Sequence, residues 1–105
     1  MPKLKAKIIN CPVEKTLRVI GKKWAVLIIR DLLSGKKRFG ELAASLSGIS
    51  PRTLSARLND LEKNGALKKK VFAEIPLHVE YSLTKRGEDL HYILDQMNKW
   101  GSSHK

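Results

Sequence analysis

The chain has 105 residues, enough for one domain around one core, and its hydrophobic residues, 42% of the total, are spread along it, which excludes a disordered polymer. Lys and Arg number 21 against 10 Asp and Glu, a net charge of +11 that calls for an anionic partner such as nucleic acid or an acidic membrane surface. No apolar run nears the roughly 20 residues that cross a bilayer, the opening MPKLKAKIIN has no signal-peptide core, and one cysteine excludes an internal disulfide framework, so the sequence reads as a cytoplasmic protein of a reducing compartment.

In chain order, CPVEKTLRVIG sets Pro12 at a helix start, Val13, Leu17 and Ile20 on one stripe and Gly21 as a stop, which predicts a first helix over residues 12–20. KKWAVLIIRDLLSG is apolar around most of its circumference, with Trp24, Leu27, Ile28 and Leu32, and so predicts a central helix ending at Gly35. After a basic turn, KKRFGELAASLSG places Phe39, Leu42, Ala43 and Leu46 on one side of a third helix closed by Gly48. In GISPRTLSARLNDLEKNG, Ser50 is an N-cap and Pro51 the first helical residue. Leu54, Leu58 and Leu61 then share the inner side of this fourth helix, Arg52, Ala56, Asn59 and Lys63 the outer side, and Thr53, Ser55 and Arg57 its flanks.

Beyond Gly65, ALKKKVFAEIPLHVEYSLT reads as a β-hairpin whose turn contains Pro76. Alternation puts Lys68 and Lys70 on one face of it and Lys69 on the other, so only part of that run can meet one partner. A last helix over residues 85–100, capped by Thr84, carries Leu90, Ile93, Leu94, Met97 and Trp100 on one side, and 101–105 form a polar tail. The fold class is therefore mainly α with a small β-hairpin: two short helices joined by SGIS make a helix-turn-helix, and the hairpin after them makes it winged, all within one domain spanning 1–105.

That order gives the fourth helix a purpose. Its leucines hold a small core while arginine and short polar groups face out, the surface that enters a DNA major groove. Arg52 and Arg57 can bond the guanine acceptors, and Ser50, Thr53, Ser55 and the small Ala56, behind Pro51, leave room for base edges and phosphates. Lys36, Lys37 and Arg38 oppose the dipole at the start of the third helix, so phosphate contact is the reason for them. Ile93, Met97 and Trp100 exceed what so small a core can cover and imply the first helix or a second subunit as their partner.

The strings CPVEKTLRVIGKKW, LLSGKKRFGEL, GISPRTLSARLNDLEKNG and VEYSLTKRGEDL, in this order and spacing from Cys11 to Gly101, resemble the HxlR family of MarR-like winged-helix transcriptional regulators. The resemblance implies a homodimer on double-stranded DNA, with dimer contacts from the first and last helices, here Leu17, Ile93, Met97 and Trp100, and operator contacts from the fourth helix and from a wing of Glu74, Ile75, Pro76, Leu77 and His78. It also implies that Cys11 can act as a redox sensor, and leaves a small-molecule or redox effector open. Members often carry arginine just before VEY where this chain has His78, and a neutral imidazole grips a narrow minor groove less well.

Three other function classes suit the sequence less well. An enzyme is disfavoured because His78, His91 and His104 have no metal-ligand spacing, no glycine-rich phosphate loop is present and the carboxylates are scattered, so neither catalytic residues, a cofactor nor a metal is expected. A non-specific packaging or RNA-binding protein suits the charge, but the few aromatics lie mostly on apolar stripes and form no stacking platform. A winged helix converted to protein interaction would need no basic recognition face.

Overall fold

The computed structural model describes residues 11–104; residues 1–10, the stretch without a signal-peptide core, and Lys105 lie outside the described residues. Helix α1 spans Pro12–Ile20, with Cys11 at its N-cap, Pro12 in its first turn and Gly21 at its C-cap. Helix α2, Ala25–Leu33, follows from an unusual start: Trp24 holds φ 80°, a left-handed backbone that favours glycine. Such a conformation costs about 1–3 kcal/mol and persists only where packing over-determines it. Trp24 meets that condition, because its half-buried side chain packs against the core and reaches to Gly48.

The basic turn expected before the third helix is in part a strand. Lys37–Arg38 form β1, which pairs antiparallel with β3 (His78–Leu83), Lys37 opposite Tyr81 and Arg38 opposite Glu80. Strand β2 (Leu67–Phe72) pairs with the other side of β3, from Leu67 opposite Leu83 to Phe72 opposite His78. The sheet is therefore three-stranded, in the order β1-β3-β2, rather than the lone hairpin that the sequence predicts. A two-residue strand is too short for period-two alternation to show.

Helix α3, Phe39–Ser45, begins with the Arg38 N–H donating to the Glu41 carboxylate at 2.8 Å, which satisfies one of the free donors at its start. Helix α4, Pro51–Lys63, is capped as expected: the Thr53 N–H donates to Ser50 Oγ at 3.1 Å. The last helix breaks in two. Thr84 caps α5, Lys85–Glu88, by accepting from the Gly87 N–H at 3.1 Å; after a tight turn at 89–90, α6 runs His91–Ser103. Residues 101–103, expected in the tail, are thus helical.

The core gathers Ala25, Ile28, Ile29 and Leu32 of α2, Leu42 and Leu46 around α3, Leu54, Leu58 and Leu61 of α4, and Ala66, Leu67 and Leu83 at the base of the sheet. Each fully buried leucine or isoleucine contributes about 1.5–3 kcal/mol of transfer free energy. The winged helix-turn-helix results: α3 and α4 stand on α2 through these side chains, and the inner face of the sheet closes the cluster with Leu67, Tyr81 and Leu83.

Candidate nucleic-acid interface

The three buried leucines of α4 fix which side of the helix faces solvent: Arg52, Ala56, Asn59 and Lys63 are exposed and Thr53 and Arg57 lie at half-buried flanks, as helical spacing predicts, whereas Ser55, expected at the flank, is exposed as well. Among the described residues no side chain bonds or ion-pairs with the Arg52 guanidinium, so its donor fork is available. Ser50 also donates from its hydroxyl to Thr53 Oγ1 at 2.9 Å, so both of its roles are spent within the first turn.

Arg57 is differently placed. Its Nη1 donates to Asp60 Oδ2 at 2.6 Å, its side chain is 23% exposed, and its Nε is buried without a partner among the described residues. Lys22, from the turn between α1 and α2, bonds the same Asp60 oxygen at 3.2 Å. Burial alone would raise the Asp60 carboxyl, but the Lys22 ammonium and the Arg57 guanidinium outweigh it and hold the carboxyl below its ordinary value of 3.8. The pair thereby ties the recognition-helix candidate to the start of α2. Asn64, at the C-cap of α4, adds a contact to α1, since its side-chain amide donates to Arg18 O at 3.5 Å as well as to Asp60 O at 2.9 Å.

Strand geometry divides the three basic residues at 36–38. Lys37 shares the inner face with Tyr81 and donates to Ser34 Oγ at 3.3 Å, whereas Arg38 shares the outer face with Glu80, whose carboxylate lies 3.4 Å from Lys36 Nζ. On the inner face Lys69 approaches Glu62 at 4.0 Å, and burial, helped by the nearby Glu62 charge, pushes the Tyr81 phenol up from its ordinary 10.0.

The wing loop, residues 73–77, joins β2 to β3 through a cis Ile75–Pro76 bond, and Glu74, Ile75, Pro76 and Leu77 are all exposed, Ile75 completely. His78 is not at this tip. It begins β3, its ring stacked on Phe72 at 4.5 Å and its Nε2 3.8 Å from Glu80, with 18% of its side chain exposed.

A second group of side chains lies on α1, α2 and α6. Leu17 of α1 and Met97 and Trp100 of α6 are exposed, while Ile93 is half-buried. The structure adds Val13, Tyr92, Leu27 and Leu33 to the exposed apolar residues, and an open groove of 430 Å³ between α2 and α6 is lined by Leu27, Leu33, Leu94 and Met97. Cys11, half-buried with a free thiol, sits at the N-cap of α1.

Residues 19–105 match the family pattern described as HxlR-like helix-turn-helix. The chain belongs to the HxlR-like family. It is 43% identical over 93 residues to the uncharacterised HTH-type transcriptional regulator YvaP of Bacillus subtilis, covering 88% of this chain and 86% of that protein. Among solved structures, the redox regulator HypR in its oxidised form superimposes with a TM-score of 0.84 at 42% identity, over 90% of this chain and 98% of that one. A protein assigned to the MarR family in Porphyromonas gingivalis W83 does so with a TM-score of 0.87 at 38% identity, over 91% and 94%. This HxlR-like chain is thus a helix-turn-helix transcriptional regulator with a MarR-like winged helix, and its relatives and fold are those of regulators rather than of enzymes. No helix among its described residues is long and apolar enough to cross a membrane.

Sequence reasoning alone did not reach β1, the Lys22 contribution to the Asp60 cluster, or Tyr92. The first two depend on partners far away in the chain. Tyr92 was within reach, since it lies one helical turn from Gln96 and two from Trp100 on the side that no core residue of α6 claims.

Proposed function

We propose that this HxlR-like regulator works in the cytoplasm, without catalytic residues, cofactor or metal, as a homodimer that recognises a palindromic duplex operator. The observation that carries the reading is the outer side of α4, where an unengaged Arg52 stands among Ser55, Ala56 and Asn59 on a helix locked by three leucines. In the major groove Arg52 addresses guanine, and Pro51, Thr53, Ser55 and Ala56 shape the approach to neighbouring base edges. Arg57 contributes at the flank through the donors that Asp60 leaves free. Ser50 serves through the helix start that it caps, where free N–H groups face a phosphate. Lys36, Lys37 and Arg38 hold the backbone, and the wing from Glu74 to His78 lies along the adjacent minor groove.

Leu17, Ile93, Met97 and Trp100 form the dimer seam, joined by Val13 and Tyr92. An apolar area of this kind on α1 and α6 suits a two-fold partner, which sets two recognition helices one DNA turn apart. The likeness to a redox regulator supports a redox effector acting through Cys11, whose single thiol can form an intersubunit disulfide, a mixed disulfide or a sulfenic acid.

The test is fluorescence anisotropy with DNA from upstream of the chain's own gene against random duplex, across a salt series. Affinity for one fragment exceeding random DNA by about 10³ or more is expected. Equal affinity for all duplexes, lost steeply with salt, would replace the reading with non-specific packaging.

A further inference from the structure

The lysine run at 68–70 has no task in the reading above, although part of it shares a surface with Lys36 and Arg38. Register and pleat place Arg38 of β1, Glu80 and Ser82 of β3, and Lys68, Lys70 and Phe72 of β2 on the outer face of the sheet, opposite the face that closes the core. Lys36 Nζ reaches into the same face at 3.4 Å from Glu80, and a hollow of 400 Å³ opens among Lys36, the run Lys68, Lys69 and Lys70, Phe72, Glu80 and Ser82, with Lys69 entering it from the other side of the strand.

Four cations thus surround one carboxylate, and that carboxylate is already engaged by Lys36 and approached by His78. Among the described residues Arg38, Lys68 and Lys70 have no carboxylate within ion-pair distance; Lys70 lies over the Phe72 ring at 5.1 Å instead. The inner face differs, because Lys69 has Glu62 and Lys37 has Ser34. The wing tip differs too, with Glu74, Ile75 and Leu77 exposed and no cation among its residues.

We propose that the outer face of the sheet is a second DNA-binding surface, which grips the phosphate backbone of duplex flanking the segment read by α4. This rests on the reading of the chain as a duplex-DNA regulator and changes how its wing works: the wing holds DNA by its flank, through Lys36, Arg38, Lys68 and Lys70, while its acidic and apolar tip makes no phosphate contact. The cations favour a polymer over a small anion. They are spread over β1, β2 and the residue before β1 instead of converging on one point. Lys68 and Lys70 also stand two residues apart on one strand, about 6.6–6.8 Å, or twice the ~3.4 Å axial spacing of charges along one DNA strand.

The experiment measures anisotropy on a random duplex of about four helical turns across a salt series, for the parent, for the double variant Lys68→Ala with Lys70→Ala, and for a control, Lys85→Ala with Lys99→Ala, that removes the same charge elsewhere. The slope of log affinity against log salt should become shallower by about 0.9 for each phosphate that is no longer neutralised, and by clearly more in the wing variant than in the control. A wing slope equal to that of the parent or the control overturns this inference and leaves the recognition helix untouched. A parent that does not bind duplex at all overturns the proposed function first.

Discussion

Arg52 and Arg57 lie on one helix with the same chemistry, and their surroundings separate them. Arg52 is exposed and, among the described residues, unengaged, so Arg52→Ala should relax preference at one base pair in each half-site by about 1–3 kcal/mol while melting temperature hardly moves. Arg57 is held by Asp60, so Arg57→Ala should first lower the melting temperature, with a smaller effect on operator choice; competition binding with single-base operator variants separates the two outcomes. The Asp60 carboxyl also sets a pH dependence. Its folded-state titration lies below the ordinary 3.8, so the charged form adds stability at every pH above that value, and the addition fades as pH falls through the lower folded-state value. Asp60→Asn should therefore melt below the parent at neutral pH, with the gap closing in strong acid. The Ser50 cap, Pro51 and the leucine stripe were legible because each is a local signal. The left-handed Trp24 was not, since a residue that defies its own backbone preference is held by packing that the neighbouring letters do not spell out.

At the scale of elements, the junction of β3 with α5 rests on one glycine. A Cβ on Gly87 would collide with the carbonyl oxygen of Ala66, and this obstacle is backbone rather than a flexible side chain. Gly87→Ala should cost about 1–3 kcal/mol, read as a drop of several degrees in melting temperature, while a control substitution at Gly40, where nothing stands within 4 Å of an added Cβ, should leave the sheet junction unaffected. The sequence marks Thr84 as a cap but does not show that the helix after it is interrupted. That break comes from the bend at 89–90, where Leu90 N bonds Gly87 O at 3.1 Å and Ile93 N bonds Leu90 O at 3.0 Å, a tightening that apolar periodicity does not record. Similarly, β1 exists because β3 offers it an edge, so neither its presence nor the division of Lys36, Lys37 and Arg38 between two faces was legible from a run of three basic letters.

For the whole molecule, the apolar residues on α1 and α6 are the least accounted for by the core of a single chain. Met97→Glu with Trp100→Glu should halve the mass seen by light scattering at micromolar concentration and weaken operator binding strongly, with the helical content retained because both side chains are exposed. Under oxidant, the parent should lose or gain operator affinity, and Cys11→Ser should abolish that response; an unchanged response would remove the thiol from the mechanism.

Among the described residues, the order β1-β3-β2 also leaves β2 with one side unpaired. An exposed strand edge is a template for pairing with other chains, and natural sheets blunt it with charge, lysine above all. Three consecutive lysines on β2 meet that need: whichever way a second strand approached, it would meet ammonium groups on both of its faces. The same run that is offered to DNA therefore also keeps free copies of the regulator from pairing edge to edge, and a chain stripped of it should prove prone to aggregate at concentrations where the parent stays dispersed.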